Sequence, residues 1–142
     1  MEQTPFDKVE RDILQIVRLF FLSFHEPGTH AWVGALTCAE TWFGETHGAA
    51  IANAVLKAVH SVRHARTAGF SYSDPTCRSC HSYITHEERY FTSVLRGLRQ
   101  KKTSDVKTNA MLLCQGADYL EFLQKMTCLV QLIERSQNEK AF

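Results

Sequence analysis

Residues 45–67 read ETHGAAIANAVLKAVHSVRHART, and the spacing of the apolar positions in this stretch decides the fold class. Ile51, Val55, Ala58, Val59 and Val62 recur at steps of three and four, the period of a helix with one buried face. Alanine is the strongest helix former, and the alanines between the larger side chains suit close helix–helix contact. Gly69 ends the run. His60 and His64 lie one turn apart but opposite the apolar face, beside Lys57, and read as solvated surface.

The same period extends in both directions. Upstream, a helix is expected from about His30 to Phe43, with Trp32, Ala35, Leu36, Ala39, Trp42 and Phe43 on one face and Gly44 as its stop. Before it, Thr4 and Pro5 are placed as N-cap and first residue of a helix striped by Phe6, Val9, Ile13, Ile16, Val17, Phe20 and Phe24, broken by Pro27-Gly28. Downstream, Thr85 and Glu88 form a capping box before Phe91, Val94, Leu95 and Leu98. Lys101 and Lys102 then stand where a helix dipole favours cations. A fifth helix starts near Ser104, carries Ala110, Leu113 and Cys114, and stops at Gly116. A sixth opens on Asp118 and Glu121 and carries Leu123, Met126, Val130 and Ile133, leaving Ser136 to Phe142 as a frayed polar tail. Nothing alternates with a period of two, and no repeat is visible. The expected fold is all-α: a compact antiparallel bundle of five or six helices, forming one domain over residues 1–142. One cysteine-containing loop interrupts it at about 70–84.

A length of 142 residues suits one domain with a real core. The formal charge of +1 gives no global field to draw in nucleic acid or a membrane surface. Acids stand near the N-terminus, where a signal peptide carries basic residues, and Leu19 to Phe24 is far shorter than the roughly 20 apolar residues of a membrane span. A cytoplasmic protein without a membrane partner is expected. The five cysteines, an odd number, argue against a disulfide framework there.

Chemistry concentrates at Cys77-Arg-Ser-Cys80-His81, in the irregular segment. Two thiolates separated by two residues can turn back onto one metal ion, which supplies half of a tetrahedral shell. Cys38, at the border of its helix's apolar stripe, and Cys114, in the last turn of its helix, are placed as the other two ligands. His81 and His86 are the alternatives to them. Cys128 reads as core filler. Zinc on Cys38, Cys77, Cys80 and Cys114 is the expected cofactor, and an iron–sulfur cluster on the same four is its rival. The pattern also matches c-type haem attachment and a thioredoxin-like pair, but export signal and βαβ context are both missing.

Other signals fail on inspection. His86-Glu-Glu-Arg-Tyr90 has tyrosine where a metalloprotease motif needs its second histidine, and His25-Glu26 with His30 misses by one residue. No phosphate-binding glycine loop and no nucleophile with its base occurs, so an enzyme is unsupported. Arg96, Arg99, Lys101, Lys102 and Lys107 form a basic strip, the basis of a lesser reading as a metal-knuckle transcription regulator. The main expectation is a zinc-stabilised helical adaptor or regulator acting on another protein, with Trp32, Trp42, Tyr83 and Tyr90 as candidate anchors. The alternative is a redox or gas sensor built on an iron–sulfur cluster.

Overall fold

Asp7 starts the first helix. Its carboxylate accepts from the Glu10 amide at 2.8 Å, and the Glu10 carboxylate accepts from the Asp7 amide at 3.0 Å. This reciprocal box satisfies donors that a helix N-terminus leaves unpaired. In the computed structural model, which describes residues 6–77, 83–102, 104–116 and 118–140, helix α1 therefore runs Lys8–His25. The expected caps Thr4 and Pro5 lie outside the described residues.

A 3-10 turn at Pro27–Thr29 leads into α2 (Ala31–Phe43), and Gly44, at φ 89°, separates it from α3 (Glu45–Ala65). After the loop come α4 (His86–Gln100), α5 (Val106–Cys114) and α6 (Tyr119–Lys140). The described residues are helical with no strand, as the apolar period implies.

Helix α3 is the centre of the bundle, packed against α1, α2 and α6, while α4 and α5 close the remaining side against α6. Ile51, Val55, Ala58, Val59 and Val62 are all buried. Helices α1 and α2 run antiparallel, since Lys8 lies over the Trp42 ring at one end and Leu19 faces Gly34 towards the other. Helices α3 and α6 do likewise. The Ser136 hydroxyl near the end of α6 donates to the Phe43 carbonyl just before α3 begins, at 3.1 Å.

That contact corrects the expected frayed tail. Ser136 continues the buried line of Leu129 and Ile133, with Gln137 and Asn138 exposed beyond it as α6 runs on to Lys140. A second correction concerns α2. Its buried line is Ala31, Ala35, Ala39 and Phe43, at strict four-residue spacing, whereas Trp32 is 51% exposed. Small side chains on this line let α2 lie close to its neighbours, and the bulky Trp32 falls outside it. Among the described residues, no helix is long and apolar enough to cross a membrane.

Candidate functional site

The segment between α3 and α4 carries the cysteine pair, and its two ends are fixed by one buried ion pair. Arg18 on α1 and Glu88 in the first turn of α4 are 3% and 0% exposed. Arg18 Nε donates to Glu88 Oε2 at 2.7 Å, and Nη2 donates to Oε1 at 3.1 Å. A fork against a carboxylate is the strongest geometry for this pairing. Glu88 also accepts from the Ser73 amide at 3.1 Å and the Thr85 amide at 3.0 Å, closing the expected capping box with Thr85.

The remaining donors tie the same two stretches of chain. Arg18 Nη2 and the Ser73 hydroxyl both donate to the Tyr83 carbonyl, and the Thr85 hydroxyl donates to the Ser71 carbonyl at 2.7 Å. Residues 71–73 and 83–85 are thereby held side by side against α1 and α4. The chain between them leaves and returns at fixed points.

Its outgoing limb is a defined turn. The Asp74 carboxylate accepts from the Thr76 amide at 2.9 Å and the Thr76 hydroxyl at 2.7 Å, and the Cys77 amide donates to the Asp74 carbonyl at 3.2 Å. Those bonds from Thr76 hold the Asp74 carboxyl below the usual carboxylate range. Pro75 is buried, and its carbonyl accepts from Gln15 Nε2 of α1 at 3.3 Å. Cys77, half-buried, follows directly. Cys80 and His81 lie outside the described residues.

The other cysteines stand on separate elements. Cys38 is half-buried on α2; burial pushes its thiol up, and the neighbouring carboxylate Asp12 adds to this. Cys114 is fully buried at the end of α5. Burial raises its thiol to about 11, with Asp118 adding and the Arg66 guanidinium opposing. Among the described residues, no three His, Cys, Asp or Glu side chains gather closely enough to hold a metal ion, so Cys38, Cys77 and Cys114 are not brought together.

Cys128 departs from its expected place. It is exposed, because the buried line of α6 runs through Phe122, Met126, Leu129, Val130 and Ile133 and leaves position 128 outside. Cys128→Ala is therefore expected to change stability by less than about 0.5 kcal/mol in urea denaturation. In the folded wild type, Cys128 should react quickly with a thiol reagent and Cys114 last. Fast labelling that survives in the Cys128→Ala variant would overturn that order.

The basic strip is partly engaged within the fold. Arg96 pairs with the buried Glu10 at 2.7 Å and Arg99 with Asp7 at 3.0 Å, both on the α1 side. His64 and His86 are exposed, and His60 lies 5.2 Å from the Phe24 ring. Tyr83 is 66% exposed at the returning foot of the loop, while Trp42 and Tyr90 are half-buried. No family model matches the chain, and neither a curated protein nor a solved structure is similar to it.

Sequence reasoning found the cysteine loop and the capping box but missed Arg18. The available signal was a charged residue inside the run Ile16-Val-Arg-Leu-Phe-Phe21, where an unpaired guanidinium would be costly to bury.

Proposed function

We propose that this chain is a small metal-binding adaptor or regulatory protein, in which zinc seated on the Cys77–Cys80 loop presents a recognition surface to another protein. The observation that carries the reading is the pinning of both loop feet by Glu88 and Arg18. Closing a loop around a metal ion has an entropic cost, and fixed feet remove part of it before the ion arrives. The Asp74–Cys77 turn further orders the approach to the first thiol.

Cys77 and Cys80 form the nucleus of the proposed shell. Of the distant cysteines, Cys38 adjoins Asp12, one turn of α1 from Gln15, which holds Pro75. Cys114 sits beside Arg66 at the end of α3. Cys38 is therefore the favoured third ligand, with His81, His86 or Cys114 supplying the fourth. A closed shell leaves no position for water, so the ion acts structurally. Exposed Tyr83 at the loop foot supplies an aromatic contact of the kind that anchors protein interfaces.

Elemental analysis of protein prepared in air and without oxygen tests this. The expected result is about one zinc per chain, lost in Cys77→Ser and Cys80→Ser variants that keep their helical circular dichroism. Cys128→Ala should keep the metal. A brown anaerobic preparation containing iron and sulfide would replace zinc by a cluster and the adaptor by a sensor. Metal-free protein from both preparations would remove the proposal.

A further inference from the structure

Where α1 and α3 end, Phe21, His25, Arg63, Arg66 and Phe70 line a cavity of about 150 Å³ together with residues 67–69. We propose that this cavity binds a small carboxylate with an apolar body, its oxygens held by Arg63 and His25 and its body against the Phe21 and Phe70 rings. The site shares no residue with the proposed metal shell, and the two readings stand or fall separately.

The apolar wall is already assembled. Phe21 and Phe70 are buried and stacked, with centroids 4.3 Å apart and planes within 10°. The volume lies well below the roughly 300–1,000 Å³ of ordinary ligand pockets, which restricts the body to about one ring.

The two arginines differ in what they have left to offer. Arg66 is consumed by the fold: Nη1 donates to the Leu113 carbonyl at 2.7 Å, Nε to Ala68 at 3.3 Å, and Nη2 to Gly69 at 3.4 Å and Glu87 at 3.3 Å. Arg63 Cζ lies over the Phe24 ring, 4.0 Å from its centroid, and the side chain pairs with no carboxylate among the described residues. Its position is thus set by an aromatic face while its N–H fork stays available, the geometry that suits a carboxylate. His25 Nδ1 bonds the Tyr72 hydroxyl at 2.9 Å. When Tyr72 donates in that bond, the ring proton sits on Nε2 as a second donor.

Helix C-termini disfavour anions, and two of them meet here. One carbonyl of each is taken, Leu22 by the Glu26 amide and Val62 by the Arg66 amide. The Arg66 side chain donates to three further carbonyls outside these helices, those of Ala68, Gly69 and Leu113. Residues 46–73 contain no Asp or Glu but include Lys57, Arg63 and Arg66. Of the nearby carboxylates, Glu87 is held by Arg66, and Glu26 and Asp74 lie towards Tyr72. Arg63 therefore remains as surplus positive charge at the cavity mouth.

The test is titration of the isotope-labelled full chain with benzoate, followed by amide and arginine Nε chemical shifts, with acetate and inorganic phosphate as separate arms. Benzoate at millimolar concentration should shift residues 67–70 and the Arg63 Nε together. Acetate and phosphate should bind there more weakly, lacking the body. Arg63→Gln, at an exposed position, should leave the amide spectrum otherwise intact and weaken benzoate by roughly tenfold or more. Absent or scattered shifts, equal binding of acetate, or unchanged affinity in Arg63→Gln would each overturn the proposal.

Discussion

Glu88→Ala is expected to lower the stability of the protein by about 3–5 kcal/mol, measured by urea denaturation. The side chain is fully buried and accepts from Arg18, Ser73 and Thr85. Its removal leaves the Arg18 guanidinium, itself 3% exposed, without its counter-charge and strands two backbone amides. The loss comes from that stranded charge more than from the strength of the pair. Replacing both partners, as Arg18→Met with Glu88→Leu, should therefore recover much of the stability while leaving the Ser73 and Thr85 amides without their acceptor. A loss below about 1 kcal/mol in Glu88→Ala would show that water reaches Arg18 and that the pair is not sealed.

Gly48→Ala should also destabilise, by about 1–3 kcal/mol, although alanine is ordinarily the better helix residue. A Cβ at position 48 would lie 2.5 Å from Glu40 Cα, 2.7 Å from its nitrogen and 2.9 Å from the Ala39 carbonyl carbon. Those are backbone atoms of α2, so relief requires α2 and α3 to move apart near their shared turn. Gly34→Ala is the control. There the nearest atoms are the Leu19 methyl carbons at 3.8 Å, an ordinary contact, and the gain in helix propensity of about 1 kcal/mol should appear undiminished. Equal effects at the two positions would mean that the α2–α3 approach is not close-packed.

The contrast between these glycines explains which parts of the fold were legible in the sequence. Helix periods are local, so α3 and its buried face, the Thr85–Glu88 box and the stop at Gly44 can be read residue by residue. Tertiary choices are not local. The apolar face drawn for α2 contained Trp32, but the close approach of its neighbours selects the alanine line instead. Cys128 reads as core filler from its place inside the last helix, whereas the facing of α6 puts it outside. For the site, the Cys77–Cys80 spacing is visible in sequence, but the means of holding the loop is not. Arg18 and Glu88 are 70 residues apart and meet only once α1 and α4 are packed. Cys38 and Cys114 stand alone in the sequence, with no spacing that ties either to the loop.

The footing of the cysteine loop also bears on how this chain can change over time. Residues 71–73 and 83–85 are bonded to each other and to Arg18 of α1 and Glu88 of α4, so the bundle itself fixes those two points. Lengthening such an excursion is thermodynamically mild, since each doubling of a flexible loop costs only about 0.6 kcal/mol. Changes at Pro75, Arg18 or Glu88 reach the packing of the core, while those at the exposed Asp74 and Thr76 do not. The helices and the excursion therefore answer to different constraints, with Arg18, Glu88 and Pro75 as the points where the two are joined.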